Sequence, residues 1–329
     1  MIISRTPFRI SFFGGGTDYP AWYENYGGMT LSATINKYAY ITMRELPPFF
    51  NYKHRIQYYR KEEVNSLEEI KHPVVREAAK LLDVKKGMEI VHNADLPARS
   101  GLGSSSTFTV GLLNTLFAIK NRMVTKRELA LNAINLEQNI IGEAVGSQDQ
   151  TIASFGGFNL IEFNKYKTFQ VQEIMISEDR LKSLEENLLL CFTGFSRTAE
   201  NIARSQIKAT PKKKKELKMM MEITNHAKEI IYNHKVSVDE FGKLLNEQWF
   251  LKKSLTKYIS NKDIDNIYNA AMNAGAIGGK LLGAGGGGFL LFYAQKKNHK
   301  KIKQSLKDKL FVPFRFEKTG SQIIYYSHE

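Results

Sequence analysis

Residues 95–119 read DLPARSGLGSSSTFTVGLLNTLFAI, which sets Gly101, Gly103, Ser104, Ser105 and Ser106 at the mouth of an apolar helix. One side chain is enough to cap a helix, and serine is among the residues favoured for it. Three serines behind two glycines exceed that need. Glycine lets the backbone approach a ligand closely and reach positive φ. The free N–H groups and dipole of a helix N-terminus attract anions. Serine hydroxyls can bind phosphate oxygens or a hard Mg²⁺ ion. The stretch therefore reads as a helix cap or as a phosphate cradle, and by itself it leaves both open.

The residues just before it, GMEIVHNA, read as a strand, so the loop joins a strand to a helix. Two more glycine-rich loops occur, FFGGGTDYP (12–20) and LLGAGGGGFLLF (281–292). Neither standard phosphate motif is present. A P-loop needs Lys before Ser or Thr, which GLGSSST lacks; GAIGGKL has the wrong spacing and puts Leu after Lys280. Gly283, Gly285 and Gly288 match G-x-G-x-x-G but precede a strand instead of opening a helix, so the dinucleotide-binding context is missing.

Elsewhere, alternation over residues 2–13 predicts a strand carrying Phe8, Ile10 and Phe12 on one side and Arg9, Ser11 and Phe13 on the other. A short helix AWYENY follows, then strands at MTLSATI, YAYITMREL and HRIQYYR and a helix over 66–82. Helices are expected at 126–142, around 145–155, and at 212–233, 237–258 and 263–274. Strands are expected at NLLLCFTGF and GGFLLFYA, with the last strands in FRFEKTG and QIIYYSHE. Strands and helices mix in both halves, which favours α+β. With 329 residues the chain is long for one core, and a compositional shift near 165–187 divides it into 1–175 and 176–329.

The hydrophobic share of 43% and charged share of 24% suit a globular protein. The lone Cys191 excludes a disulfide within the chain and is expected as a buried, inert thiol. There is no secretory leader and no apolar run of the roughly 20 residues that span a bilayer, so a cytoplasmic location is expected. The net charge of +14 gathers in KATPKKKKELK (208–218) and KKNHKKIKQSLKDK (296–309). The second reads as a helix burying Ile302, Leu306 and Leu310. Stacking aromatics do not interleave with these lysines, which favours a solvated surface over nucleic-acid binding.

Two carboxylates stand out downstream. Glu137 falls on a helix with Leu129, Ala133, Leu136 and Ile140, and Asp149 falls in a polar, turn-like stretch, GSQDQ. Phosphoryl transfer requires a carboxylate for the metal and often another for the acceptor hydroxyl.

TPFRISFFGGGTDYP, PARSGLGSSSTFT and LLGAGGGGFLLF, in that order, resemble the three motifs of the GHMP kinase superfamily. SRTPFRISFFGGGTDYPAWY, DLPARSGLGSSS and GSQDQ most resemble its D-glycero-D-manno-heptose 7-phosphate kinases, with fucose 1-kinases as the competitor. The resemblance implies an N-terminal domain like ribosomal protein S5 domain 2, a ferredoxin-like C-terminal domain and a cleft between them. It implies ATP held by Gly101, Leu102, Gly103, Ser104, Ser105 and Ser106, in a loop that also caps its helix, and Mg²⁺ held by Glu137 and Ser105, with Ser104 and Ser106 able to exchange roles with Ser105. Asp149 and Arg9 would be catalytic. Gly16, Thr17, Asp18, Arg197, Gly285 and Gly286 are assigned to the substrate, with Lys37, Lys53 and Arg55 as further candidates for a sugar phosphate. Galactokinases carry Glu-His before the TDY stretch, where this chain has Gly15 and Gly16; that implies a different or bulkier sugar than galactose. The function implied is phosphorylation of the anomeric hydroxyl of the heptose 7-phosphate. The contrasting class, given the net charge, is a non-enzymatic nucleic-acid-binding protein.

Overall fold

The computed structural model describes residues 1–195 and 199–327. Arg197, assigned above to the substrate, lies outside them. The chain opens with strand β1 (Ile2–Phe13), helix α1 (Pro20–Tyr26) and strand β2 (Gly28–Glu45). The two strands predicted at 29–35 and 38–46 are one continuous strand, bent by a bulge. Pro7 of β1 faces Tyr38 but Phe8 faces Ile35, leaving Asn36 and Lys37 as extra residues on β2. Proline has no N–H for the ladder, and a bulge there bends the pair without ending it.

Strands β3 (His54–Gln57) and β4 (Lys61–Val64), helix α2 (Pro73–Leu81) and strand β5 (Met88–Ala94) follow. Helix α2 starts later than the pattern over 66–82 predicts, because Pro73 sets its first turn. Helix α3 (Ser104–Ile119) lies on β1 and β2 and is buried nearly all round from Ser106 to Phe117. Its apolar sequence has no wet face, as a central helix requires.

Helix α4 (Lys126–Asn135) does not run on to 142. It passes into a π-helical turn at Leu136–Ile141 and ends at Gly142, with φ 78°. The wider turn rotates the face. Glu137 becomes fully buried, while Ile140, expected on the apolar side, is exposed. Helix α5 (Gln148–Phe155) precedes strands β6 (Phe158–Phe163) and β7 (Phe169–Glu173).

The second half holds α6 (Glu178–Glu186), β8 (Leu188–Phe192), α7 (Ala199–Ala209), α8 (Lys214–Tyr232), α9 (Asp239–Leu255) and α10 (Lys262–Asn273). It continues through β9 (Gly278–Leu281), β10 (Phe289–Tyr293), α11 (His299–Ser305) and β11 (Leu310–Val312). The last strands are β12 (Phe316–Glu317) and β13 (Gln322–Tyr326).

Among the described residues nine strands form one sheet with a central path β13-β1-β2-β5-β3-β4; β12 and β6 also pair with β2, and β7 with β6. Four more form an antiparallel sheet, β11-β8-β10-β9. Helix α8 lies on β1 and β2, and α9 lies on β9 and β10. Phe8 and Phe12 of β1 therefore share one core with Phe241 and Leu245 of α9 and with Leu291 of β10. The two sheets are joined by that core, which fixes the side chains of β1 relative to those of β9.

Cys191 is buried in β8, and burial pushes its thiol up to about 12. Leu310 corrects an expectation: Ile302 and Leu306 are buried, but Leu310 belongs to β11 and is 64% exposed. Replacing Leu306 with Ala should cost about 2–3 kcal/mol of stability, whereas Leu310→Ala should stay within about 0.5 kcal/mol. Urea denaturation of the two variants measures the contrast.

Candidate active site

A cleft of about 350 Å³ opens between the three glycine-rich loops. Its centre is an ion pair. The Arg9 guanidinium donates from Nε to Asp149 Oδ1 at 2.8 Å and from Nη2 to Asp149 Oδ2 at 2.7 Å. Its Nη1 donates to the Gly101 carbonyl at 2.8 Å. The alternation along β1 points Arg9 at the cleft, and the Arg9 N–H bonds the Leu102 carbonyl at 3.1 Å. Arg9 is 4% exposed and Asp149 27%, so the carboxylate reaches the cleft while the cation is shielded behind it. Such planar, bidentate pairing fixes orientation as well as charge. Asp149 sits not in a turn but in the first turn of α5, where the helix dipole favours a carboxylate.

Ser11, two residues along the same face of β1, donates to Gln148 Oε1 at 2.8 Å, and Gln148 Nε2 donates to Asp149 Oδ1 at 3.1 Å. A carboxylate has about four lone-pair sites. Arg9 and Gln148 orient Asp149 and leave it capacity for an acceptor hydroxyl.

The opening question is answered against capping. Gly103 takes the N-cap position of α3 in the left-handed region, and no side chain caps that helix. Ser104 accepts a bond from the Arg99 N–H at 3.1 Å. Ser106 donates to Glu137 Oε2 at 2.9 Å. Ser105 is exposed and lines the cleft. The helix N-terminus thus faces the cleft without a side-chain cap, as an anion site requires. Gly103 has φ 80°, and a Cβ there would lie 3.2 Å from Arg9 Cγ and 3.4 Å from Asp149 Oδ2. Gly101 has φ 81°, and a Cβ there would lie 2.5 Å from the Leu282 carbonyl oxygen. Leu102 turns its side chain into the core.

Glu137 lies behind the serines. Gln150 Nε2 and Ser106 both donate to its Oε2, while Oε1 is buried without a partner. Burial pushes this carboxyl up to about 7, with the nearby Glu143 charge acting the same way. A divalent cation beside Ser105 or Ser106 would satisfy the orphaned oxygen, so these residues fit Mg²⁺. Among the described residues no group of three His, Cys, Asp or Glu side chains is placed to hold a metal. Mg²⁺ commonly uses one or two carboxylates together with substrate phosphates.

The other assignments divide. Gly16 and Asp18 line the cleft, and Asp18 Oδ1 accepts from the Gly16 N–H at 2.8 Å. Burial raises the Asp18 pKa, and Asp149 adds to it. Thr17 is fully buried, with its hydroxyl 2.8 Å from the Gly14 carbonyl oxygen and 2.9 Å from that of Met29, so it shapes the loop. Gly285 and Gly286 do not line the cleft; the Gly286 N–H bonds the Ile259 carbonyl. The third loop instead braces the second, through a bond from the Phe289 N–H to the Ser100 carbonyl at 3.1 Å. Lys37, Lys53 and Arg55 stand away from the cleft, and Arg55 pairs with Glu89 and Glu63. Three cleft cations carry no signal in the sequence: Arg99 beside the second loop, Lys252 of α9 and Lys280 of β9. Lys280 sits in the apolar run GGKLLG and Lys252 in a Lys-Lys pair on α9, and only the fold turns these two inward.

Comparison with known proteins identifies the family. Residues 70–157 match the GHMP kinases N terminal domain and residues 233–311 the GHMP kinases C terminal domain. The D-glycero-alpha-D-manno-heptose 7-phosphate kinase of Campylobacter jejuni is 31% identical, over 97% of each chain. The chain belongs to the GHMP kinase family. It has that family's two-domain α+β fold and is a phosphotransferase, which answers the non-enzymatic alternative. GHMP kinases use ATP as phosphate donor. A crystal structure of a D-glycero-D-manno-heptose 1-phosphate kinase from Bacteroides thetaiotaomicron is 26% identical, covers 100% of both chains and superposes with a TM-score of 0.78. The bifunctional fucokinase/GDP-fucose pyrophosphorylase of Arabidopsis thaliana is 29% identical over 68% of this chain and 21% of its own length. Among the described residues no helix is long and apolar enough to cross a membrane.

Two outcomes follow from the kinase site. Gly103→Val should weaken ATP binding at least tenfold in a folded protein, since the side chain resists positive φ and crowds Arg9; equilibrium nucleotide titration reads this. The raised Glu137 pKa means the folded state binds a proton that the unfolded state releases near 4.5. That contribution is complete below pH 4.5 and lost as pH rises through about 7. Without divalent cations, the melting temperature of Glu137→Gln should gain on the parent between pH 5 and pH 8.

Proposed function

We propose that this GHMP kinase transfers the γ-phosphoryl group of ATP to the anomeric hydroxyl of D-glycero-D-manno-heptose 7-phosphate, giving the 1,7-bisphosphate. The observation that carries the reading is the Arg9–Asp149 fork, held between the phosphate loop and the Gly16–Asp18 loop. Two relatives are named for heptoses that already bear a phosphate, although the names differ on its position.

In this reading the backbone N–H groups of 101–106 hold the ATP phosphates. Asp149 orients the anomeric hydroxyl and takes its proton. Arg9 keeps Asp149 aimed, and balances charge as the phosphoryl group moves. Catalysis of this kind rests on positioning and electrostatics more than on covalent chemistry. Mg²⁺ held by Glu137 with Ser105 or Ser106 would neutralise the β and γ oxygens of the nucleotide. Asp18 would hydrogen-bond sugar hydroxyls beside Gly16. A cytoplasmic location belongs to the same reading and is supported by the single, buried thiol of Cys191.

The fucokinase relative favours a second acceptor, fucose. Turnover of ATP with heptose 7-phosphate, unphosphorylated heptose and fucose decides between them. The phosphosugar should show the highest kcat/KM, because a remote phosphate can be used to orient the reacting hydroxyl. A preference for fucose or for the plain heptose sinks the phosphosugar assignment and leaves the kinase standing. With the preferred sugar, Asp149→Asn should lower kcat by roughly 10²–10⁴ while the dissociation constant for ATP stays within about threefold.

A further inference from the structure

We propose that Lys252 and Lys280 form a cationic floor to the cleft that binds a phosphoryl group, either the acceptor's own phosphate or the one in transfer. Only the choice of sugar in the test rests on the heptose reading above.

The two lysines are 5% and 1% exposed, yet both line the cleft. Their hydrogen bonds go to backbone carbonyls. Lys280 Nζ donates to Phe12 O at 2.7 Å; Lys252 Nζ donates to Leu281 O at 3.4 Å and to Gly283 O. An ammonium group has three donors, so neither is exhausted by these partners. The nearby carboxylates are engaged elsewhere: Asp149 with Arg9, and Asp18 with the Gly16 N–H. Arg9, Arg99, Lys252 and Lys280 line the cleft with Asp18, Glu143, Asp149 and Glu200. Glu200 pairs with Arg204, burial pushes Asp18 toward its neutral form, and of the three buried cations only Arg9 has a carboxylate partner.

A buried charge is costly unless paired. Burial works against both lysine charges. Burial pushes Lys252 down to about 8, Arg9 adds to the fall, and Asp18 and Asp149 oppose it. Lys280 lies well below its ordinary value through burial, with Lys252 and Arg9 acting the same way and Asp18 opposing. An entering dianion would supply the missing partner.

The positions bridge the two ends of the reaction. Gly283, whose carbonyl Lys252 holds, packs so closely on Gly101 that a Cβ on it would fall 2.5 Å from Gly101 Cα. Lys252 therefore stands beside the start of the phosphate loop, on the donor side. Lys280 holds Phe12, just before the Gly14–Asp18 loop, on the acceptor side.

The test compares Lys252→Met and Lys280→Met with the parent, each checked for folding by its melting curve. Methionine keeps the length of the side chain and removes its charge. We expect kcat/KM for heptose 7-phosphate to fall roughly 10²-fold, as loss of charge-assisted bonds to phosphate implies. A fall confined to the phosphosugar assigns the acceptor's phosphate. An equal fall with unphosphorylated heptose, carried by kcat, assigns the group in transfer. Folded variants that keep both values within about threefold overturn the proposal.

A second measurement is independent of the sugar. Sulfate, which has no titrating proton at pH 8, is bound to the full chain in two calorimetric buffers of different ionisation enthalpy. An anion on the floor raises the lysine pKa values, so the parent should take up protons on binding and the Lys252→Met/Lys280→Met protein should not. Equal uptake by both proteins, or none by the parent, also overturns the proposal, even if no heptose is a substrate.

Discussion

The site depends on one guanidinium. Arg9 reaches across from β1 to Asp149 on α5 and, through Nη1, to the carbonyl of Gly101. One planar group thereby sets the carboxylate that meets the acceptor and the start of the loop that meets the donor. Lysine, a point charge without that fork, could not hold both geometries. The absence of a side chain at Gly103 is the matching constraint, because the fork lies directly against that position.

Around it, the loops support one another. The second loop's Ser100 carbonyl is held by the Phe289 N–H at the start of β10, and Gly101 packs on Leu282 and Gly283. The glycine run at 283–288 thus works as a brace between two halves of the fold. It brings α9 and β9, and with them Lys252 and Lys280, against the cleft. A site made this way has its donor side held by backbone bonds and close glycine packing. The exposed Ser105 and the partly open Asp149 are left as the surfaces a substrate meets.

Much of this was legible in the sequence. The alternation of β1 put Arg9 and Ser11 on one face, and the order of the three loops, read by resemblance, placed Asp149 and Glu137. What escaped reading depends on contacts distant in sequence. Which serine meets Glu137 is decided by the π-helical turn, which rotates the face predicted for 126–142 and has no signature in composition. Whether a serine caps α3 is decided by the left-handed Gly103, which takes the N-cap position itself. Gly285 and Gly286 looked like ligand-facing glycines, but Gly285 packs closely against Ile259 and the Gly286 N–H bonds the Ile259 carbonyl. Lys280 is flanked by Gly279 and Leu281 in a short buried strand, so its charge has meaning only once β9 is laid beside β1.

The pairing of β13 with β1 bears on how the chain is made. Ile2 of the first strand faces Tyr326 near the end of the described chain. During synthesis, Arg9 emerges long before β13, and the edge of its sheet closes only once β13 has left the ribosome. Such distant pairing slows folding and leaves an open strand edge exposed in the interval. A nascent chain stalled before β13 would therefore carry every residue of the cleft while the edge of β1 stood bare.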